Sequence, residues 1–359
     1  MHDGGVREGA GAGSDAGGAL PVRRPLPPLA SLPPARRALA PRLQLLAAAA
    51  LFSTGGAAIK AVHFSGWPVA CLRSAIAAAG LLLLLPQVRR RPTARILGVA
   101  ACYAATMILF VLANKLTTAA STIYLQATAP LFVLLLGPWL LGERVRRGDL
   151  VSMAAIALGL VLLVTGLEPA SATAPDPLRG NLLAAFSGLT WALTIVGLRG
   201  LGRGGAGAGA TGLGDAAAAS HGDPGTPDGG REAAAAPGGG AIVAAFWGNV
   251  LAAAAALPLS LPLPASRAAD WLVLAFLGLF QIALAYVLLS RGIGAVPALE
   301  ASLLLMLEPV LNPLWAWLAH GERIGPRVLA GGAMILAATL LNSWHDARLA
   351  AREQRGTSP

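Results

Sequence analysis

The chain has 359 residues, of which 55% are hydrophobic and only 12% are charged, with a net charge of +10 and a mean hydropathy of +0.65. Since a soluble globular protein carries roughly 25% charged residues, most of this surface must face something other than water. The composition excludes an ordinary soluble domain and predicts a polytopic helical membrane protein. Basic residues form short clusters between apolar stretches, which argues against nucleic-acid binding and fits membrane topology.

The chain begins with residues 1–41, whose Gly, Ala, Pro and Arg content predicts a disordered cytoplasmic tail and no cleavable signal peptide. Ten apolar stretches follow, each near the roughly 20 residues that a helix needs to span a bilayer. They are predicted at residues 42–62, 67–86, 96–115, 119–141, 148–167, 180–200, 241–264, 270–290, 297–318 and 325–344. We expect the last residues, 345–359, to form a second cytoplasmic tail.

An internal repeat divides these stretches into two sets of five. The segment APLFVLLLGPWLLGERV from Ala129 matches EPVLNPLWAWLAHGERI from Glu308, at an offset of 179 residues. The segments FSTGGAAIK from Phe52 and WALTIVGLR from Trp191 match at an offset of only 139. The Gly/Ala/Pro/Asp-rich residues 201–240 account for the difference and predict a low-complexity insertion. We therefore expect repeats at 42–167 and 168–344.

Five spans per repeat is an odd number, so the second repeat must enter the membrane from the side opposite the first. This predicts an inverted-topology pair, an arrangement typical of secondary transporters that bind substrate at the repeat interface. With both termini in the cytoplasm, twenty of the 27 Lys and Arg residues fall on that side and six fall outside. This asymmetry favours ten spans with both ends inside.

These segments resemble the EamA-type permeases of the drug/metabolite transporter superfamily over about residues 42–344. FSTGGAAIKAVHFSGWPVACLRSAIAAAGLLLLL is similar to the opening helix pair of that family. The matched segments around Pro130 and Pro309 resemble its proline-containing fourth helices with their Gly-Glu endings. The sequence departs from the family at Phe52-Ser53, where Trp-Gly is common, and at the insertion. The resemblance implies transport of small metabolites, often export, across a bacterial inner membrane, without indicating a substrate.

Glu308 is the main candidate for a functional site. It lies about 16 Å from the start of its predicted span at about 1.5 Å per residue, which is near the bilayer midplane. A carboxylate there costs at least a few kcal/mol if it faces lipid, so we expect it to face the interior. Asn312 lies one turn further on the same face, and Pro309 and Pro313 leave backbone carbonyls free to line a cavity. A proton or substrate site and a structural hydrogen-bond anchor both remain open.

The first repeat offers a different polar set, because the position matching Glu308 is Ala129. Thr122 and Gln126 are its candidates, and Gln126 shares a helix face with Pro130. These side chains could instead form interhelical hydrogen bonds of modest strength.

Arg73 is shallower in its span, where it could extend to the membrane surface or pair with a substrate carboxylate or a partner acid. Trp191 and Tyr286 could line a cavity or pack at the interface. For Lys60 we expect a side chain that extends to the membrane surface. For the acids at the ends of matched helices we expect structural roles, in which each pairs with a neighbouring arginine or caps the next helix; these are Glu143 and Glu322.

The sequence thus predicts a secondary transporter that works by alternating access, with proton coupling and export both open. The alternatives are a membrane scaffold or sensor, in which residues 201–240 recruit partners, and an intramembrane enzyme, for which one central acid is too few. No nucleotide-binding or metal-ligand motif is present, so we expect no cofactor. The expected partners are a small-molecule substrate and lipid. Gly- and Ala-rich helix faces leave a homodimer open.

Overall fold

The computed structural model describes residues 34–89, 91–142, 147–166, 169–203, 239–263 and 265–356. Helices dominate all of these ranges. Residues 1–33 and Glu143 lie outside the described residues. Of the predicted insertion, 201–240, only residues 201–203 and 239–240 are described. Residues 38–359 form one compact unit, and of the separate unit at residues 1–37 only the last four are described.

The first predicted repeat contains seven α-helices. They are α1 (Pro34–Ser53), α2 (Gly55–Ala61), α3 (Gly66–Leu84), α4 (Ala94–Leu116), α5 (Ala119–Gln126), α6 (Ala129–Leu141) and α7 (Arg147–Thr165). The second repeat contains α8 (Pro177–Arg203), α9 (Gly239–Ser260), α10 (Ala268–Ala275), a π-helix (Phe276–Leu284), α11 (Ala285–Gly292), α12 (Ala298–Leu305), α13 (Leu307–His320) and α14 (Pro326–Gly356).

Nine helical segments in the described ranges are long and apolar enough to cross a membrane. They correspond to nine of the ten predicted spans. The counterpart of the remaining span is α7, whose apolar part, Asp149–Thr165, is shorter than the others. Ten spans therefore stay a prediction. The outer surface exposes large apolar side chains such as Trp139 and Leu272, as a surface in contact with lipid requires.

The tail predicted for residues 1–41 is helical from Pro34 onward, where α1 begins. At the other end, α14 continues to Gly356, beyond its apolar part, which ends at His345. Proline is favoured in the first turn of a helix, and the Ala- and Arg-rich residues that follow Pro34 are strong helix formers. The same preference for Ala, Arg, Glu and Gln extends α14 past its apolar part.

The two matched segments have the same backbone pattern. α5 and α6 are separated by a break at Ala127 and Thr128, and α12 and α13 are separated by a break at Met306. Each pair ends in a left-handed glycine with φ 66° and ψ 21°, Gly142 in the first copy and Gly321 in the second. Glycine takes this conformation without the steric penalty of a side chain.

Helices from the two halves pack against one another in a reciprocal pattern. α3 packs on its counterpart α9, and α7 packs on its counterpart α14. α2 contacts α13, while α8, the counterpart of the first span, contacts α5 and α6. The centre of the bundle is therefore an interface between the halves.

The first span is broken at Thr54, between α1 and α2. Ser53 Oγ donates to the Ala50 carbonyl and Thr54 Oγ1 donates to the Leu51 carbonyl, so both hydroxyls bond the preceding turn. Such bonds compete with regular helix, and Gly55 and Gly56 follow immediately. The break lies beside the central cavity.

Candidate functional site

A cavity of about 220 Å³ lies at the centre of the bundle, between the two halves. Seven of the ten predicted site residues and helix breaks line it together: Arg73, Gln126, Pro130, Trp191, Tyr286, Glu308 and Pro309. The cavity also reaches Arg199, Ala241 and Ser343, which lie near the ends of apolar spans on one side of the bundle. We call this side the Arg42 end, because Arg42 lies there, near the start of the first apolar span.

Arg73 is almost completely buried, with 2% of its surface exposed, and so it does not extend to the membrane surface. Its Nη2 donates a 2.7 Å hydrogen bond to Gln281 Oε1, and Gln281 Nε2 donates to the Phe52 carbonyl at the end of α1. Arg73 Nε and Nη1 have no hydrogen-bond partner in the part of the chain that the structure describes. These two nitrogens carry N–H donors that no described residue satisfies, on a side chain that lines the cavity.

Glu308 lies in the first turn of α13 and lines the cavity. It takes part in none of the hydrogen bonds or ion pairs found among the described residues. Glu308 and Arg73 therefore line the same cavity with opposite charges and without a direct ion pair. A carboxylate and a guanidinium in this arrangement can bind polar groups of a small molecule or exchange a proton with it.

Aromatic rings form one wall of the cavity. Tyr286 contacts Phe52 at 5.3 Å and Tyr103 at 6.0 Å between ring centroids, and Tyr103 contacts Trp191 at 6.3 Å. All are edge-to-face contacts, a favourable geometry for aromatic pairs. The lining of the cavity therefore combines aromatic rings with the charged groups.

Gln126 has a second contact besides the cavity. Its Nε2 donates a 2.8 Å hydrogen bond to Ser187 Oγ on α8, which joins the two halves. The interpretation as a bond between helices is therefore compatible with a position on the cavity wall.

Three other predicted residues do not line the cavity. Thr122 is fully buried and donates to the Thr118 carbonyl within its own helix. Asn312 is also fully buried, with its amide oxygen close to Gly56, and Pro313 is buried beside it on α13. A Cβ placed on Gly56 would lie 2.5 Å from Asn312 Oδ1, so the backbone of α2 approaches α13 very closely here.

The structure corrects the interpretation of Lys60. Its side chain is only 4% exposed and its Nζ lies 2.8 Å from Glu322 Oε1, so it does not extend to the membrane surface. Glu322 pairs with this lysine of the other half instead of a neighbouring arginine, and its Oε2 accepts a hydrogen bond from the Ala119 N–H. We call this side of the bundle, opposite the Arg42 end, the Lys60 end.

Sequence reasoning missed two residues of the site. Gln281, which holds Arg73, is a single polar residue in the apolar run WLVLAFLGLFQIALAYVLL, and that isolation was an available signal. It lies in the π-helix, a distortion that is frequent at functional sites. Tyr103 carries no comparable signal, because a tyrosine in an apolar span is compatible with simple packing.

The fold and cavity define a multi-pass helical membrane protein with a polar site at its centre. The sequence matches the EamA-like transporter family over residues 42–165 and 235–344, and the chain belongs to that family. An uncharacterized transporter of Archaeoglobus fulgidus is 28% identical over 270 residues, which cover 74% of this chain and 83% of the relative.

A solved crystal structure of a protein is similar to this fold with a TM-score of 0.50 and 20% identity. It covers 86% of this chain and 98% of the matched chain. The family and the named relative both indicate a transporter.

Proposed function

We propose that this protein is a secondary transporter that moves a small polar or amphipathic metabolite across the bacterial inner membrane by alternating access. Both termini and the Arg42 end would face the cytoplasm. Each repeat would rock about the central cavity and expose it to one side at a time. The two halves would have opposite orientations in the membrane, as an odd number of spans in each requires.

The observation that supports this proposal best is the pair of unjoined charges on the cavity wall. Ionisable residues in membrane spans are costly and mark substrate or ion pathways. Arg73 offers unpaired N–H donors on Nε and Nη1, which suit an anionic group such as a carboxylate, because hydrogen bonds with a charged partner are stronger than neutral ones. Glu308 would contact a donor group of the metabolite or exchange a proton, and the aromatic wall would hold an apolar part.

The position of the cavity supports alternating access. Its lining residues come from the centre and from the Arg42 end, for example Arg199, Ala241 and Ser343. Residues of the Lys60 end, such as Lys60 and Glu322, do not line it. The conformation is therefore compatible with a state that is closed towards the Lys60 end.

The test is transport by the purified full-length chain in vesicles, with a panel of radiolabelled metabolites and an imposed pH gradient. For a metabolite that is moved, Glu308→Gln should lower flux about tenfold or more, or make it independent of the gradient. Arg73→Gln should lower the flux of carboxylates by a similar factor, because hydrogen bonds to charged groups contribute about 1.5–3 kcal/mol.

Asp176→Asn is the matched control, because it removes a carboxylate that is exposed and paired only with nearby Arg179. This variant should transport as the wild type does. Unchanged flux and gradient dependence in Glu308→Gln would refute the role of Glu308. Absence of transport for every compound in the panel would count against the transporter itself.

A further inference from the structure

The Lys60–Glu322 pair joins four segments at the Lys60 end. Lys60 lies in the last turn of α2, and its Nζ donates to the carbonyls of Thr117 and Thr173 besides pairing with Glu322. Glu322 follows α13 and also accepts from the Ala119 N–H. The pair thus connects the first repeat to the second and draws two loops onto the contact.

Further polar side chains accompany this pair in the contact. Towards the cavity, Asn114 and Asn312 are fully buried beside Gly56. Asn114 Oδ1 and both amide atoms of Asn312 have no hydrogen-bond partner within the described ranges of the chain. Polar groups left in this way favour hydration as soon as water can reach them.

A second cavity of about 250 Å³ lies on the other side of the pair, and Glu322 belongs to its lining. The remaining lining is largely polar, with Thr117, Thr118, Ser121 and Asn181. It shares no lining residue with the central cavity. Glu322 therefore borders a cavity that is separate from the central one.

Energetics argue against a purely stabilising purpose for this contact. Replacing a buried ion pair by apolar residues of similar volume is often neutral or stabilising, so a permanent closure is better made from leucine and valine. An ion pair has another property, because its charges are well solvated once they separate and water enters. The polar groups of such a contact are therefore hydrated when it opens, and none is left unpaired in a site without water.

From these observations we propose that Lys60 and Glu322 are positioning residues that form the gate at the Lys60 end, and that their separation connects the central cavity with the second cavity. The proposal rests on the proposed transport function and identifies the contact that closes the transport pathway at the Lys60 end. In the alternative, the pair is a permanent structural contact that stays formed throughout the cycle.

The first experiment measures access and requires no substrate. Met107, which lines the central cavity, is changed to Cys in a chain whose Cys71 and Cys102 are Ala. A membrane-impermeant methanethiosulfonate reagent is then applied on the Lys60 side. The double variant Lys60→Met with Glu322→Gln should be labelled faster by about tenfold, a typical size for a two-state shift. An unchanged labelling rate in the folded variant would overturn the proposal, whether or not transport has been found.

The second experiment holds the contact closed. Lys60→Cys and Glu322→Cys are combined in the same cysteine-free background and joined by a short bis-methanethiosulfonate reagent. Transport of a metabolite identified in the panel should be lost and should return after reduction, while binding from the Arg42 side remains. The single-cysteine variants with the same reagent are the controls. Full transport by the cross-linked chain would show a permanent contact and contradict the gate.

Discussion

The two ends of the contact between the first span and the α12–α13 segment carry ion pairs in very different surroundings. At the Arg42 end, Arg42 pairs with Glu300, and their side chains are 38% and 35% exposed. At the Lys60 end, Lys60 and Glu322 are 4% and 2% exposed. The same two segments thus meet in a solvent-exposed contact at one end and a buried contact at the other.

This difference indicates how one bundle can be accessible on one side only. Water and salt screen an exposed pair, which therefore contributes little to holding helices together. A buried pair is screened much less, and removal of one partner leaves a charge in a dry site. The Lys60 end should resist opening, while the Arg42 end should tolerate the loss of its pair.

The largest loss of stability is expected at the buried contact between Lys60 and Glu322. Glu322→Ala leaves the Lys60 ammonium without its carboxylate and should destabilise the protein by about 3–5 kcal/mol. Thermal unfolding in detergent measures the loss. The double variant with Lys60→Met should recover a large part of it, because the charge itself is then removed. If Glu322→Ala unfolded at the wild-type temperature, the pair would not be buried in the membrane-embedded protein.

A smaller effect is expected from a single methyl group at the same end. Gly56→Ala brings a Cβ to 2.5 Å from Asn312 Oδ1 and 2.8 Å from the Ala119 Cβ, and such overpacking typically costs about 1–3 kcal/mol. Gly98→Ala is the control, since a Cβ there meets nothing within 4 Å. Comparison of the two melting temperatures checks the close approach, which equal stabilities would disprove.

The solvent-exposed contact between Arg42 and Glu300 should be the least sensitive to mutation. Arg42→Gln with Glu300→Gln removes both charges of the exposed pair and should leave the melting temperature within experimental error. The labelling rate of Met107→Cys from the Lys60 side should also stay unchanged. A melting temperature as low as that of Glu322→Ala would mean that exposure does not distinguish the two ends.

No loss of transport is expected when residues 204–238 are replaced by a short Gly/Ser linker, because α8 ends at Arg203 and α9 begins at Gly239, so both helices stay whole. Flux in vesicles tests this directly against the scaffold alternative, in which the insertion recruits partners. A deletion variant that loses its cellular phenotype but keeps its flux would favour that alternative.

Much of this architecture could be predicted from the sequence because the dominant signals are local or periodic. Apolar length indicated the spans, and the 179-residue offset indicated the break-and-cap pattern that ends at Gly142 and Gly321. Glu308 and Arg73 were recognisable as site candidates since a charge in a lipid span requires an internal position.

The missed features depend on three-dimensional proximity. Lys60 near a helix end is compatible with extension to the membrane surface, and only the approach of α13 provides its buried partner. Asn312 shares a helix with Glu308 but faces Gly56 instead of the cavity. Gln281 acquires its role only from Arg73, which is distant in sequence.

The most direct test of the account asks whether the two repeats have opposite orientations in the membrane. Arg147→Cys, at the start of α7, and Arg323→Cys, after α13, lie just beyond the matched glycines and can be introduced singly into the cysteine-free chain. An impermeant thiol reagent applied to intact cells should label Arg323→Cys at once and Arg147→Cys only after permeabilisation. Labelling of both from the same side would contradict inverted repeats and, with them, the proposed alternation of access.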